Sequence, residues 1–303
     1  MKSLRTALFA ELENNGCQAR IVPIHHLQNL RREMAELLQS GLVNNKLWGY
    51  LNGFQYDYSP VLSNPQSIIV AAVPQPITKL HIMWRGTKQT ILVPPTYVYT
   101  TADNLVLNIM ERELKKENFS LVRAKLPLKL LAVRSGLSYY GRNNISYIRG
   151  MGSFYRLIAL VTDMPVSSGT WQNVQRMPEC EDCQVCLNSC PARCIDLNRN
   201  IIHAEKCLTY INESPGPFPL WVDSNWHNSL VGCIKCQLAC PQNKHVSQTN
   251  EFADILSERE LDLILSASDY DGLPETTRYT LQKLNLTDYE LTIIQRNLRA
   301  LLL

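Results

Sequence analysis

Seven of the ten cysteines fall into two short runs, and their spacing constrains the fold more than any other feature of this chain. The first run has the form C-x2-C-x2-C-x3-C-P and the second has the form C-x2-C-x3-C-P. Bacterial ferredoxins with two cubane clusters use the first spacing. The pattern therefore predicts two [4Fe–4S] clusters and a role in electron transfer. The cysteines are Cys180, Cys183, Cys186 and Cys190 in the first run, and Cys233, Cys236 and Cys240 in the second.

The last cysteine of such a run binds the other cluster, and this rule assigns the ligands. Cys240 completes the cluster that the first three cysteines begin. Cys190 then joins the second run and leaves that cluster one thiolate short, for which Cys207, lying between the runs, is the candidate. The predicted ligands are Cys180, Cys183, Cys186 and Cys240 for the first cluster, and Cys190, Cys207, Cys233 and Cys236 for the second.

Two cysteines lie outside these sets. Cys194 follows Cys190 by four positions and can either compete as a ligand or pack as a small half-buried residue beside a cluster. We expect the second, because free cysteine is among the most buried residue types. Cys17 is expected to be an ordinary thiol. Structural zinc fits the three-cysteine opening poorly, and residues 1–15 show no export signal that would favour disulfides.

Length and composition indicate an ordinary globular chain. Its 303 residues suffice for two modest domains, or for one domain with an inserted cluster module. Hydrophobic residues make up 45% of the chain and charged residues 19%. No apolar stretch approaches the roughly 20 residues that a membrane-spanning helix needs. We expect a cytoplasmic protein without membrane association, because thiolates stay reduced in that compartment.

The charges are unevenly distributed. No acidic residue lies between Glu117 and Asp163, and Gly136, Gly141 and Gly152 in this segment permit close approach of a ligand to the backbone. The segment predicts a positive surface that attracts an anionic ligand. Alternatively, carboxylates from elsewhere in the fold neutralise it. The cations are Arg123, Lys125, Lys129, Arg134, Arg142, Arg149 and Arg156.

Hydrophobic periodicity and chain breakers predict a chain of mixed helices and strands. Residues 67–73 are apolar from Ile68 onwards and lie between breakers, which indicates a buried strand. The predicted helices are 3–14, 26–40, 102–117 and 127–136, a second strand is 154–162, a hairpin spans 81–93, and three helical segments follow residue 253.

The cysteine runs, the segment GLSYYGRNN at 136–144, the tripeptide GSF at 152–154 and Thr162-Asp163 together resemble the epoxyqueuosine reductase family. The resemblance covers about residues 60 to 245. It implies an α+β fold with a corrinoid-binding and substrate-binding α/β domain at 1–170. A double [4Fe–4S] ferredoxin-like module at 171–248 and a helical tail at 249–303 complete the implied organisation.

The resemblance also implies residue roles. The family takes the extra ligand of its second cluster from a motif like KCLTY at 206–210, which supports Cys207, and its C-terminal cysteine motif matches residues 233–241. The implied cobalamin has an amide-rich rim and a phosphate, for which glycines and an arginine are suitable neighbours. The expected cofactor contacts are Gly136, Gly141, Arg142, Asn143, Gly152 and Ser153.

One family feature is missing from this sequence. The family places an aspartate, the proposed proton donor, ahead of the glycine segment, but residues 125–130 read KLPLKL and contain no carboxylate. Tyr97, Tyr139 and Tyr140 are the nearby phenols, but packing is the preferred explanation for each of them. The sequence therefore names no catalytic residue.

Three functions remain after this comparison. The first is a reductase that passes electrons from two [4Fe–4S] clusters to a bound cofactor, cobalamin, and on to a small-molecule or tRNA substrate. The second is an electron-transfer or reductive-activation protein that serves a partner enzyme. The third, an RNA-modifying role with a changed target, has the least support because no long basic run is present. A low-potential ferredoxin or flavodoxin is the expected electron donor.

Overall fold

The structure is a computed structural model that describes residues 2–246 and 249–302. It mixes helices and strands, which confirms the predicted α+β class. The strands, in chain order, are β1 (Gln18–Pro23), β2 (Ser67–Pro74), β3 (Ile77–Trp84), β4 (Thr87–Val93), β5 (Leu121–Arg123), β6 (Tyr139–Tyr140), β7 (Ser146–Tyr147), β8 (Tyr155–Thr162) and β9 (Thr249–Leu256). The α-helices are α1 (Lys2–Asn14), α2 (His26–Gln39), α3 (Trp48–Leu51), α4 (Thr100–Lys115), α5 (Leu128–Arg134), α6 (Val185–Ser189), α7 (Leu208–Glu213), α8 (Lys235–Leu238), α9 (Glu258–Ser266), α10 (Glu275–Lys283) and α11 (Leu291–Leu302).

Most of the predicted elements are present with small shifts at their ends. The predicted helices correspond to α1, α2, α4 and α5, and the predicted strands correspond to β2 and β8. The hairpin is formed by β3 and β4, and the helical tail contains α9, α10 and α11. The sequence did not predict β1 or β9.

The chain divides into two compact units. The first comprises Met1–Pro74, Thr101–Cys183 and Asn198–Ile202, and the second comprises Gln75–Thr100, Gln184–Leu197 and His203–Leu303. The boundaries of these units differ from the predicted domain boundaries, which lie after residues 170 and 248. The hairpin of β3 and β4, which we assign by sequence to the first domain, belongs to the second unit.

The first unit is built on a sheet with the strand order β1-β2-β8-β5, in which every pairing is antiparallel. Seven of the eight residues of β2 are buried, because helices cover both faces of this sheet. Side chains alternate between the two faces of a strand. Val70 therefore lies in a core with Leu30 of α2 and Leu131 of α5. Its neighbour Ile69 lies in the opposite core.

The second core of this unit uses two helices from distant parts of the sequence. Leu8 and Leu12 of α1 pack with Val106 and Met110 of α4 against the face of the sheet that presents Ile69. Apolar residues recur at three- and four-residue intervals in both helices, so each buries one stripe. Continuous apolar character in β2 is the sequence signal of this two-sided burial.

The second unit contains the sheet β4-β3-β9. β3 and β4 form an antiparallel hairpin whose turn residues, Arg85 and Gly86, have φ angles of 50° and 70°. Two consecutive left-handed residues are typical of the turn that matches the twist of a hairpin. β9 pairs with β3 in parallel, with a register shift between Lys79 and His81. The residues of β9 are largely exposed.

The helices of the C-terminal region complete the core of this unit. Leu80 and Ile82 of β3 pack with Leu261 of α9 and with Ile294 and Leu298 of α11. Ser257 caps α9 in a reciprocal arrangement with Glu260, which sets the start of that helix. In the part of the chain that the structure describes, no helix combines the length and the apolar character needed to span a bilayer.

We predict that Ile69→Ala destabilises the protein by about 2–5 kcal/mol, because Ile69 is fully buried in the middle of β2 and alanine leaves a cavity. The matched control is Ile255→Ala, in which the side chain is 47% exposed. This change should cost less than about 0.5 kcal/mol. Chemical denaturation of the two variants measures both values, and equal losses would contradict the two-sided burial of β2.

Candidate iron–sulfur sites

The first two cysteines of the first run lie in a short loop of the first unit. Cys180 ends a 3-10 turn, Pro178–Cys180, and is buried, whereas Cys183 is half-buried. The backbone N–H of Cys180 donates to the carbonyl of Met177 at 2.9 Å, which closes the turn. The loop therefore has a defined conformation before any cluster is considered.

The side chain of Arg142 anchors this cysteine loop. Its guanidinium donates hydrogen bonds to the carbonyl oxygen of Cys180, to that of Glu181 at 2.8 Å and to that of Cys183 at 3.0 Å. Arg142 is only 7% exposed. Because hydrogen bonds from a charged donor are stronger than neutral ones, this contact fixes the path of the chain around both cysteines.

Arg142 is held in place by a tight turn between β6 and β7. The turn requires glycine at position 141, because an added Cβ would lie 2.5 Å from the ring of Tyr147 and 2.7 Å from Oδ1 of Asn143. Nδ2 of Asn143 donates to the Tyr147 hydroxyl at 3.0 Å, and Oδ1 of Asn143 accepts from the backbone N–H of Ile145 at 3.2 Å. Gly141 and Asn143 therefore shape the turn that presents Arg142.

The same turn also holds residues 198–202. Asn144 has a φ of 56° and uses both ends of its side-chain amide. Its Nδ2 donates to the carbonyl of Asn200 at 2.8 Å, and its Oδ1 accepts from the N–H of Ile202 at 2.7 Å. The segment GRNN thus contacts the cysteine-rich region at two places within the first unit.

Three of the five arginines of the acid-free segment form ion pairs with two carboxylates of the first unit. Asp103 of α4, only 2% exposed, forms ion pairs with Arg123 and Arg156. Arg134 forms an ion pair with Glu33 of α2 at 2.7 Å. These pairs match the alternative that the counter-charges come from elsewhere in the fold. These three arginines therefore do not account for the predicted attraction of an anionic ligand.

The residues expected to contact a cofactor have contacts of their own. Gly136 has a φ of 72°, and an added Cβ would approach Thr170 to 3.2 Å. Gly152 pairs with Ile148 in a backbone bridge, and Ser153 is buried. Arg142, which we expect to meet an anionic group, instead binds three carbonyl groups of the cysteine loop. The cofactor role of these residues stays a prediction.

The three tyrosines considered as proton donors are differently placed. Tyr97 lies in the second unit, where its hydroxyl donates to the carboxylate of Glu213. Burial and the charge of Glu213 raise the pKa of Tyr97 well above its usual value. Tyr139 stacks with the guanidinium of Arg149, and burial raises the pKa of Tyr140. Packing accounts for Tyr139, and Tyr97 is engaged by a carboxylate.

Three cysteines meet at the centre of the second unit. Cys190 ends α6 and Cys207 immediately precedes α7, and Cys194 lies between them. The Sγ atoms of Cys190 and Cys194 are 3.5 Å apart. Cys194 also forms a side-chain hydrogen bond with Cys207. The structure thus brings together two of the predicted ligands of the second cluster and the extra cysteine.

These contacts shift the acidity of the thiols. A hydrogen bond with Cys194 lowers the pKa of Cys190 and that of Cys207 below the usual value of a thiol. The pKa of Cys194 is raised by its hydrogen bonds to these two sulfurs and by burial. Iron binds cysteine as the thiolate. The hydrogen bonds from Cys194 therefore favour the thiolate form of Cys190 and Cys207.

Cys233 is close enough to Cys190 and Cys207 for their charges to affect its pKa, which burial raises above the usual value. Nδ2 of Asn228 donates to Sγ of Cys233 at 3.4 Å, and Oδ1 of Asn228 accepts from the N–H of Ile234 at 3.0 Å. Asn228 therefore sets the turn that carries Cys233. We did not identify this residue by sequence, since its only signal is its position five residues before a cysteine.

An apolar shell surrounds this group of cysteines. Leu208 and Ile211 of α7 form a buried cluster with Ala192, and Cys190 and Cys233 pack against it. The partly buried aromatic side chains of the shell are Tyr210, Phe218 and Trp226. Such a shell limits the access of water, which is one determinant of the reduction potential of a cluster.

The remaining cysteines lie on separate elements. Cys186 in α6 and Cys236 in α8 belong to two helices that pack together, and Cys240 follows α8. Cys186 and Cys240 are buried. Cys17 lies in the core of the first unit, where burial raises the pKa of its thiol to about 11. Within residues 2–246 and 249–302, no group of three His, Cys, Asp or Glu side chains is arranged to hold a single metal ion.

Comparison with known proteins connects this geometry to a family. The model of the 4Fe-4S double cluster binding domain matches residues 179–243, which contain every cysteine of both runs. An epoxyqueuosine reductase from Aliivibrio fischeri is 32% identical over 122 residues, which is 40% of this chain and 32% of that protein. Over this aligned region the chain is similar to epoxyqueuosine reductases. The aligned region spans about a third of the curated relative.

The folds agree over a longer stretch than the sequences. The structure of epoxyqueuosine reductase from Streptococcus thermophilus matches 97% of this chain and 79% of its own chain, with a TM-score of 0.69 and 18% identity. A crystal structure of epoxyqueuosine reductase with an epoxyqueuosine-modified tRNA-Tyr stem loop matches 99% of this chain and 80% of its own, with a TM-score of 0.65 and 18% identity. At these identities the matches establish the fold alone.

We predict that Arg142→Ala lowers the iron content of anaerobically reconstituted protein from about eight to about four atoms per chain. The change removes the donor to three carbonyl groups of the loop that carries Cys180 and Cys183, and an unsatisfied buried group costs about 1–3 kcal/mol.

The matched control is Arg149→Ala, because Arg149 lies in the same segment but is exposed. This variant should keep the iron content of the wild type. Equal iron contents in the two variants would contradict the anchoring role of Arg142.

Proposed function

We propose that this protein is an iron–sulfur oxidoreductase that carries electrons through two [4Fe–4S] clusters to a bound cofactor and on to a substrate. The observation that carries the proposal is that the segment matching a double-cluster domain holds Cys190, Cys207 and Cys233, with Cys190 and Cys233 packed against one buried cluster that includes Leu208, next to Cys207. A cluster of this kind requires four thiolates that converge from different chain segments. These three come from three different segments.

The proposed ligands are those of the sequence interpretation. Cys180, Cys183, Cys186 and Cys240 would hold the first cluster, and Cys190, Cys207, Cys233 and Cys236 would hold the second. When bound, such clusters accept and release single electrons. The protein positions the thiolates, through Arg142 for the loop of Cys180 and Cys183 and through Asn228 for Cys233. The apolar shell formed by Ala192, Leu208 and Ile211 restricts water around the second group.

We further propose cobalamin as the cofactor that receives these electrons, on the basis of the family resemblance. Three of the residues expected to hold it are engaged within the first unit. Gly141 and Asn143 shape the turn, and the guanidinium of Arg142 is bound by carbonyl groups of the cysteine loop. Gly136, Gly152 and Ser153 stay proposed contacts of this cofactor.

The substrate of the proposed reductase is a tRNA or a small molecule. A tRNA is supported by the relative whose structure contains a modified tRNA stem loop. The missing carboxylate at residues 125–130 argues against an unchanged epoxyqueuosine reaction, because reduction of a C–O bond needs a proton for the leaving oxygen. A low-potential ferredoxin or flavodoxin is the proposed electron donor.

The second candidate function is an electron-transfer or reductive-activation protein that performs no substrate chemistry. Two observations favour it. The family carboxylate is missing, and the segment GRNN at 141–144 is used to hold residues 180–183 and 198–202 rather than left open to a ligand. Such a protein would keep both clusters and bind a partner enzyme.

We predict that Cys207→Ala loses one cluster only, because three thiolates remain for the second cluster and four for the first. Iron analysis and EPR of the reduced, reconstituted protein should give about four irons per chain, compared with about eight in the wild type. Cys17→Ala is the matched control, since Cys17 lies in the core of the first unit. Two intact clusters in the Cys207 variant would remove Cys207 from the ligand set.

The choice between the two functions is tested by an anaerobic visible-absorption titration of the reconstituted protein with hydroxocobalamin, followed by a low-potential reductant. The reductase predicts stoichiometric binding and reduction of the cobalt through the clusters. Cys207→Ala should bind cobalamin normally but reduce it more slowly. Absence of binding by protein that holds about eight irons would favour the electron-transfer protein.

A further inference from the structure

We propose that the thiol of Cys194 donates hydrogen bonds to the sulfur ligands of the second cluster, Cys190 and Cys207, and thereby raises the reduction potential of that cluster. The inference rests on the proposed function, because it requires Cys190 and Cys207 to bind iron. It assigns a positioning and tuning role to a cysteine that lies outside both predicted ligand sets.

The position of Cys194 supports this role. Its Sγ lies 3.5 Å from Sγ of Cys190, within the range of a hydrogen bond between sulfur atoms, and it forms a second hydrogen bond with the side chain of Cys207. The residue is 3% exposed. Water therefore competes weakly for the sulfur atoms, and a hydrogen bond is electrostatically stronger in such surroundings than in water.

The backbone fixes Cys194 between the two ligands. Arg193 has a φ of 45°, and its N–H donates to the carbonyl of Cys190 at 3.1 Å, so the chain reverses directly after Cys190. The carbonyl of Cys194 then accepts from the N–H of His203 at 2.8 Å, which ties it to the segment that leads to Cys207. The short distances therefore follow from backbone hydrogen bonds on both sides of Cys194.

The direction of the effect follows from charge. A cysteine that binds iron does so as a thiolate and can only accept a hydrogen bond, whereas a thiol that binds no metal has a proton to donate. Reduction adds one negative charge to the cluster and its ligands. A donor aimed at the ligand sulfurs stabilises that added charge, and hydrogen bonds to sulfur are one of the factors that set cluster potentials.

The competing interpretation makes Cys194 a ligand itself, in place of Cys190. The two interpretations predict different iron contents. Loss of a tuning donor leaves four ligands and a complete cluster, whereas loss of a ligand removes the cluster. If Cys194 is a donor, Cys194→Ala keeps the second cluster and Cys190→Ala loses it. If Cys194 is the ligand, Cys194→Ala loses the cluster and Cys190→Ala keeps it.

The test uses the full chain, reconstituted anaerobically, with iron analysis and an EPR-monitored redox titration. Cys194→Ala should keep about eight irons per chain, as the wild type does. One of its two clusters should show a lower reduction potential, with the ratio of reduced to oxidised cluster at fixed potential changed about tenfold, which is 59 mV for a one-electron couple. Cys190→Ala should hold about four irons.

Two further variants separate the effect of the donor from a loss of packing. Cys194→Ser retains a hydroxyl donor, so its potential should lie between those of the wild type and Cys194→Ala. Cys17→Ala removes a buried thiol from the core of the first unit and should leave both potentials unchanged.

Each contrary result has a distinct meaning. About four irons in Cys194→Ala and in Cys194→Ser, with about eight in Cys190→Ala, would make Cys194 a ligand and overturn the proposal. Complete clusters with unshifted potentials in Cys194→Ala would also overturn it, while leaving the proposed function intact. Wild-type protein that assembles no second cluster would overturn the proposed function itself.

Discussion

The contact between one buried guanidinium and the cysteine loop is the interaction on which the candidate site of the first unit depends. Arg142 replaces the hydration of three carbonyl groups with charge-assisted hydrogen bonds, and the negative ends of the carbonyl dipoles face the cation. A cubane with four thiolates carries net negative charge. The positive charge of Arg142 would then also stabilise a cluster bound by Cys180 and Cys183. One side chain would thus fix the shape of the loop and favour the negative charge of the cluster.

The sequence predicted the helices and strands that have a strong periodic signal. The spacing of the cysteines assigns Cys190 and Cys233 to one cluster, and Cys207 joins them as the candidate between the two runs, an assignment that stays a prediction. β9 was missed because its partner β3 lies far away in the sequence and its residues are mostly exposed, which weakens the apolar pattern. Pairing between distant segments has no local signal.

The cations of residues 118–162 show why charge patterns alone do not identify a binding surface. The sequence shows that this segment lacks acidic residues, but not that Asp103 and Glu33 lie beside its arginines. Likewise, glycine at position 141 suggests room for a ligand, whereas in the fold that room is filled by the ring of Tyr147. The partner of a charge or a glycine is a property of the folded chain.

The parallel pairing of β3 with β9 has a consequence for biosynthesis. β3 begins at Ile77 and its partner begins at Thr249, so the cysteines of both runs leave the ribosome before the sheet of the second unit can be completed. Pairing between segments so far apart forms late, because the entropy of closing a long loop opposes it. The thiols of both runs are therefore already part of the nascent chain while the edge of β3 that pairs with β9 is still open.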